Sequence, residues 1–100
     1  MQVLIRIHEA YRKIVAVCDP ELLGKKFEEG NLQLEINERF YNGKKIDEKS
    51  AIKILKKAQA EDACFNFVGE KSIKIAIKAG IIDKECVLRI QGIPHALALL

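Results

Sequence analysis

Ala63-Cys-Phe-Asn-Phe-Val-Gly-Glu-Lys-Ser-Ile-Lys-Ile-Ala-Ile-Lys-Ala-Gly80 is the segment that sets the architecture of this chain. The apolar run 64–68 has the length of a buried strand, and Gly69 separates it from a segment with a different period. Apolar residues then recur at the spacing of one helix face: Ile73, Ile75, Ala76, Ile77 and Ala79. The opposite face carries three lysines: Lys71, Lys74 and Lys78. The segment therefore predicts a strand, a turn at Gly69 and an amphipathic helix that stops at Gly80.

The composition is that of a globular domain. The chain has 100 residues, of which 49% are hydrophobic and 31% are charged, and we expect residues 1–100 to form one domain. No apolar run approaches the ~20 residues that span a bilayer and no leader pattern is present, so we expect a cytoplasmic protein without membrane contact. Cys18, Cys64 and Cys86 are separated and lie among aliphatic residues. They predict three buried thiols and no metal site, and no pattern indicates a cofactor.

Positive charge is confined to two segments of the chain. Residues 44–57 contain six lysines and two acidic residues, and residues 71–78 contain three lysines and no acid. The remaining residues contain more acids than bases. This uneven distribution is typical of a surface that meets a polyanion, although lysine also covers ordinary solvated helix faces.

The first half of the chain predicts strands joined by short connections. Alternating apolar residues predict strands at 3–7 and 32–36, and the run 14–18 predicts an antiparallel partner for the first. Residues 25–30 are interpreted as a charged connector. Asn42-Gly43 predicts a tight hairpin turn, because this pair accepts positive φ.

Two sites in the sequence have the form of a helix start. Asp19-Pro20 predicts a short helix in which Asp19 caps the first amides, and Gly24 ends it. Asp47 predicts the cap of a second amphipathic helix that runs to about Gln59.

The C-terminal part predicts two more strands, at 86–90 and 95–100. An unpaired apolar terminus would favour aggregation, so the last strand is expected to be paired or covered. The predicted fold class is α+β: a mainly antiparallel sheet of five or six strands with two amphipathic helices packed on it.

Seven lysines on the two helices are the main functional lead: Lys49, Lys53, Lys56, Lys57, Lys71, Lys74 and Lys78. Exposed amines without acidic neighbours attract phosphates, so these lysines predict RNA as a partner. Arg39, Lys44 and Lys45 are predicted secondary contacts. They flank Phe40 and Tyr41, whose rings either stack on unpaired bases or pack the turn onto the core.

A different interpretation is a small-ligand or enzyme site formed by Asn66, Gly69 and His95. Gly69 at a helix start offers backbone amides to an anion, whereas the neighbouring Glu70 favours a purely structural cap. His95 is expected to be half-buried and hydrogen-bonded, and His8 has no evident partner. No motif indicates a catalytic residue. A third interpretation is a protein–protein adaptor that uses the apolar C-terminus, and the sequence leaves the oligomeric state open.

Several strings occur together in an order that resembles a known family. They are Val17-Cys18-Asp19, Glu21-Leu22-Leu23-Gly24-Lys25, Phe27-Glu28-Glu29-Gly30, Phe40-Tyr41-Asn42-Gly43, Asn66-Phe67-Val68-Gly69-Glu70 and Gly92-Ile93-Pro94-His95-Ala96. The chain resembles the archaeal domain-of-unknown-function family 424 over nearly its whole length. The resemblance implies a small archaeal cytoplasmic protein without an established activity, for which RNA binding has been supposed. It implies no catalytic residues, and Leu97 departs from the polar residue that often follows Pro-His-Ala in the family.

Overall fold

The computed structural model describes residues 1–99. In chain order the elements are β1 (Gln2–His8), β2 (Ile14–Cys18), a 3-10 turn (Pro20–Leu22), β3 (Lys26–Glu29), β4 (Leu32–Glu35), α1 (Glu38–Tyr41), β5 (Lys44–Asp47), α2 (Glu48–Ala60), β6 (Cys64–Val68), α3 (Glu70–Lys78), a second 3-10 turn (Lys84–Cys86), β7 (Leu88–Ile90) and β8 (Ile93–Ala98). No helix within these residues is long and apolar enough to cross a membrane.

The strands form one large sheet and one separate hairpin. Among residues 1–99, the large sheet has six strands in the order β5-β1-β2-β6-β8-β7, and β3 pairs only with β4. Within residues 1–99, β2 and β6 are the one parallel pair, and all other neighbours are antiparallel. The prediction of a mainly antiparallel α+β fold is therefore confirmed.

The two long helices lie on one face of the large sheet. They contact each other, and their buried residues join those of four strands in one apolar cluster. Phe65 and Phe67 of β6 stack at 5.6 Å between ring centroids, in the same cluster as Leu55 and Ile75, and all four are almost completely buried. Burial of each such side chain contributes about 1.5–3 kcal/mol to stability. The sequence prediction that Ile77 belongs to this buried face is wrong, because 38% of its surface is exposed.

The opposite face of the sheet is covered by smaller elements. A second apolar cluster there combines Leu4, Cys18 and Val68 of the sheet with Ile36 and Tyr41. Because α1, the first 3-10 turn and the β3–β4 hairpin are short, they cover this face only in part. The exposed Leu97 of β8 lies on the uncovered part.

Two local predictions in the first half are wrong. Residues 25–30 contain strand β3, whose side chains are exposed except for the half-buried Phe27, so the segment has no alternating apolar signal. Asn42-Gly43 does not form a hairpin turn. Asn37 caps the helical turn α1 through a 2.8 Å bond from the Arg39 amide, and the strand that follows pairs with β1.

Other predictions are confirmed with adjusted bounds. The β1–β2 pair is an antiparallel hairpin, and Asp47 caps α2 by accepting from the Ser50 amide at 2.8 Å. The strand predicted at 86–90 starts only at Leu88. The last strand starts at Ile93 and lies between β6 and β7, as expected for a paired terminus. Leu100, the end of the predicted strand, lies outside the described residues.

Candidate functional site

The lysines of α2 all face solvent. Lys49, Lys53, Lys56 and Lys57 are exposed, whereas Ala51, Leu55 and Ala58 on the other side of the helix are buried. Among residues 1–99, no carboxylate lies within 4 Å of any of these four amines. Their positive charge is therefore directed at solvent without close neutralisation.

Ion pairs involve two of the three lysines of α3. The Lys78 amine lies 2.8 Å from a carboxylate oxygen of Glu48 at the start of α2, and Lys71 lies 3.4 Å from Glu21. Lys74 is exposed and has no carboxylate within 4 Å among the described residues. Partly exposed pairs of this kind contribute little, because both groups remain hydrated.

The seven lysines are carried by the two helices on one face of the large sheet, although Lys71 is paired with Glu21 of the first 3-10 turn, which packs against the other face. Their helices pack next to each other on the same sheet face, and the Lys78–Glu48 pair joins them. We call the outer side of α2 and α3 the lysine surface, defined by Lys49, Lys53, Lys56, Lys57, Lys71, Lys74 and Lys78. The fold thus brings together two basic segments that are separated in sequence.

The predicted secondary contacts are divided between the two sheet faces. Lys44 is paired with Ile5, which faces α2, whereas Lys45 is paired with Leu4 on the opposite face. Arg39 lies on α1, which also covers that opposite face. Of these three residues, only Lys44 therefore shares a side with the lysine surface.

A groove lies beside the lysine surface. We call it the β1 groove: it has a volume of about 700 Å³ and runs between α2 and the part of β1 that β5 does not cover. Its floor is apolar and includes Ile7, which is 44% exposed, together with Ile54. Lys44 and Lys57 line it without a carboxylate within 4 Å in the described chain. Glu61 also lines the groove, but it is paired with Lys13 at 3.2 Å, so positive charge is in excess and the groove suits a ligand that is both apolar and anionic.

The aromatic residues of α1 are engaged within the protein. Phe40 stacks on His8 at 4.6 Å between ring centroids, and its carbonyl oxygen lies 2.8 Å from His8 Nε2. Tyr41 is 7% exposed and packs in the second apolar cluster. Of the two roles left open by the sequence, the structure favours core packing for both rings, and His8 has a partner that its sequence context did not reveal.

The start of α3 is occupied by a carboxylate from the chain itself. Asp19 accepts hydrogen bonds from the Lys71 and Ser72 amides at 3.0 and 2.8 Å and from the Ser72 hydroxyl at 2.9 Å. Asp19 makes no capping bond to the 3-10 turn that follows it, so its predicted role as a cap for that turn is wrong. Since the amides after Gly69 already bind Asp19, this helix start is not open to an external anion.

Asn66 and His95 come together on the sheet face opposite the two helices. Val68 is paired with His95 and Asn66 with Leu97, so both polar side chains lie on one face of neighbouring strands. They line a cavity of about 400 Å³ that Tyr41 and Gln33 also line. We call it the His95 cavity. Gly69 does not line it, which separates this residue from the other two of the predicted ligand site.

His95 differs from its sequence expectation in one respect. It is half-buried as predicted, but Nδ1 is buried and has no hydrogen-bond partner in the described chain. Burial lowers the pKa of the imidazole below its ordinary value of 6.5, so the ring is mainly neutral at pH 7. Burial also raises the pKa of Tyr41 to about 12, with a smaller contribution from Cys18, so its hydroxyl stays protonated.

The cysteines occupy three different environments. Cys18 is buried, and this burial, with a smaller contribution from Asp19, raises the pKa of its thiol to about 12. Cys64 is half-buried, and Cys86 is exposed, so the prediction of three buried thiols is wrong for Cys86. Within residues 1–99, no three His, Cys, Asp or Glu side chains are close enough to hold a metal ion.

Two lining residues were missed at the sequence level. Gln33 alternates with the apolar residues of β4, and the sequence gives Tyr41 only a stacking or packing role. Both reach the His95 cavity because the elements that carry them fold over the sheet. A single sequence contains no signal for that long-range contact.

These features define a compact α+β protein with a basic helical face on one side of its sheet and an uncharged cavity on the other. The chain belongs to the family described as protein of unknown function DUF424, whose profile matches residues 7–99. The family resemblance is therefore confirmed.

The fold is also similar to one known from an archaeon. The crystal structure of an uncharacterized conserved protein from Methanopyrus kandleri matches with a TM-score of 0.86 and 28% sequence identity. The match covers 97% of this chain and 90% of that chain. No curated protein matches the sequence.

Proposed function

We propose that this protein is a non-enzymatic RNA-binding module that contacts phosphates with its lysine surface. One observation carries the proposal: of the seven amines on α2 and α3, five have no carboxylate within 4 Å in the described chain. The five are Lys49, Lys53, Lys56, Lys57 and Lys74. A helix face that serves only solubility more often alternates Glu with Lys, because i, i+4 pairs of opposite charge stabilise the helix.

The β1 groove extends this surface towards bases. Phosphates would lie against the amines of α2, and Lys57 belongs to both surfaces. The apolar floor near Ile7 would cover the faces of unpaired bases and remove them from water. This arrangement supports binding of single-stranded or looped RNA and predicts little sequence specificity from the phosphate contacts themselves.

The proposal is tested by fluorescence anisotropy with a labelled single-stranded RNA between about 50 and 200 mM salt. Each phosphate contact on a single strand adds about −0.7 to the slope of log K against log salt, so five contacts give a slope of about −3.5. The double variant Lys53→Glu/Lys56→Glu should bind more weakly, and its slope should be shallower by ~1.4.

A matched variant separates the lysine surface from net charge. Lys25→Glu/Lys84→Glu changes the charge by the same amount at two exposed residues that lie outside both helices. It should retain most of the affinity and the slope of the unaltered protein. Equal losses in the two double variants, or a binding curve that does not respond to salt, would contradict the proposal.

The groove is tested separately with Ile7→Ser. This change keeps the charge of the protein and removes exposed apolar surface from the floor. RNA affinity should fall while the salt slope stays the same, because the lysine contacts are unaltered. An unchanged affinity would remove the groove from the proposed interface.

A further inference from the structure

The His95 cavity lies apart from the proposed RNA surface. It opens on the sheet face that carries α1 and the β3–β4 hairpin, whereas α2 and α3 cover the other face. Its volume of about 400 Å³ falls within the ~300–1,000 Å³ of small-molecule sites. A ligand in this cavity would therefore bind independently of the lysine surface.

Four polar side chains in this cavity have open hydrogen-bonding capacity. His95 Nδ1 is buried and unpaired, and the side chains of Gln33, Tyr41 and Asn66 form no hydrogen bond with any other part of the described chain. Buried polar atoms in proteins are nearly always paired with protein, water or ligand, so the unpaired ring nitrogen of a residue that lines the cavity indicates a missing partner.

The cavity is uncharged. None of its lining residues is Asp, Glu, Lys or Arg. Burial lowers the pKa of His95 and raises that of Tyr41, so both side chains are neutral at pH 7. An anion would find no cation here, and a cation would find no carboxylate, so a charged ligand would lose its hydration without compensation.

The remaining lining favours a flat ligand. Leu34, Leu88 and Leu97 contribute apolar walls around the polar groups. The two carboxamides of Gln33 and Asn66 each offer a donor and an acceptor, which is the combination that reads the edge of a nucleobase. The imidazole adds a donor or an acceptor according to its tautomer.

We propose that the His95 cavity binds a neutral nitrogen heterocycle of the nucleobase type, with Asn66 and His95 hydrogen-bonded to its edge. The leucine walls cover the faces of the ring. Any ribose or phosphate attached to the base remains outside, because the cavity has no group to neutralise a phosphate.

The test is an NMR titration of protein labelled with ¹⁵N in its histidines, with adenosine, guanosine, cytidine and uridine as separate probes. The chain has two histidines, and His8 is an internal control because its ring already bonds to the Phe40 carbonyl and stacks on that side chain. At least one nucleoside at millimolar concentration should shift the His95 ring resonances and leave those of His8 in place.

A second arm distinguishes a free nucleoside from a base carried by an RNA strand. If a short single-stranded RNA shifts the His95 resonances and no nucleoside does, the bound base is one carried by an RNA strand. If neither probe type shifts the His95 resonances, the proposal is overturned. This outcome is independent of the salt-dependent binding measured for the lysine surface.

Variants then test the assigned residues. Asn66→Ala and His95→Phe should each weaken binding of the active probe about tenfold or more, because each removes a half-buried hydrogen-bonding group from the cavity. Lys25→Glu lies outside both the cavity lining and the lysine surface and should bind the active probe as the unaltered protein does. A folded Asn66→Ala protein with full affinity would overturn the assignment of Asn66 to the binding site. If a variant fails to fold, the titration of the unaltered protein still tests whether the cavity binds the probe.

Discussion

The carboxylate of Asp19 fills the space in which Gly69 would carry a side chain. A Cβ atom on Gly69 would lie 2.5 and 2.6 Å from the two carboxylate oxygens of Asp19. Asp19 follows β2 and Gly69 follows β6, and because these strands are parallel neighbours, both residues lie at the same end of the sheet. The Asp19 amide also donates to the Val68 carbonyl at 3.1 Å, which holds the two strand ends together.

Gly69→Ala should therefore be strongly destabilising. The residue has φ of 108° and ψ of 156°, a conformation that is essentially restricted to glycine. Strain and overlap together should lower the free energy of unfolding by about 3–5 kcal/mol. The measurement is urea unfolding followed by circular dichroism.

Gly30→Ala is the matched control for this change. Gly30 also has positive φ, 61°, but a Cβ there would meet nothing within 4 Å. Gly30→Ala should lower the free energy of unfolding by only about 1–2 kcal/mol, the cost of placing alanine in a left-handed backbone conformation. Equal costs at the two glycines would contradict the role assigned to Asp19.

Asp19→Ala should destabilise the protein by about 2–4 kcal/mol, since it removes three hydrogen bonds at the buried start of α3. Asp19→Asn retains one oxygen acceptor and should cost less. Hydrogen exchange should show the loss first at the amides of Lys71 and Ser72. Asp47→Ala removes an exposed cap with one bond to Ser50 and should have a smaller effect. A larger loss at Asp47 than at Asp19 would contradict this prediction.

His95 should titrate below pH 6.5 in the folded protein. Because its pKa is lowered on folding, the unfolded state binds the proton first, and stability should decrease as pH falls through the interval between 6.5 and the lowered pKa. Above pH 6.5 this effect is absent. The ¹⁵N shifts of the imidazole report the pKa directly, and a ring that is protonated at or above pH 6.5 would contradict the burial of Nδ1.

The Glu48–Lys78 pair should make a second, smaller contribution to pH dependence. The hydrogen bond from Lys78 lowers the pKa of Glu48 below its ordinary value of 4.5. The stabilisation is therefore present above pH 4.5 and is lost as pH falls through the lowered pKa. Thermal unfolding of Glu48→Gln should show a flatter dependence between about pH 5 and 3 than the unaltered protein. An identical dependence would indicate that the pair contributes nothing in solution.

The local sequence pattern was sufficient to predict most of the helices and strands and to identify the lysines of the lysine surface. The run 64–68 and the helical spacing after Gly69 predict β6 and α3, and Asp47 predicts the start of α2. The pattern did not predict β3, because most of its side chains face solvent, or α1, because its four residues are too few to show a helical period. The sequence pattern also grouped Lys44 and Lys45 in one predicted contact surface, although the side chains of neighbouring residues along a strand point to opposite faces.

The candidate sites depended more on long-range contacts. Gly69 is adjacent in sequence to the strand of Asn66, which favours a shared ligand site, but Asp19, 50 residues earlier in the sequence, reaches Gly69 from the end of β2. Gly43 is another position of this kind. A Cβ there would lie 2.5 Å from the Ile5 carbonyl carbon and 2.8 Å from the Arg6 amide nitrogen. Glycine is therefore required because the chain passes close to β1, and not because of a hairpin turn.

Two amphipathic helices with lysine on their outer sides are already specified by the order of the residues, because periodicity and helix caps act within a few positions of the chain. Three other relationships arise only when the chain is folded: both helices lie on one sheet face, Asp19 closes the start of α3, and Asn66 and His95 share an uncharged cavity. These relationships depend on strand order and register, which are set by burial of the whole core at once and are not encoded in any local stretch.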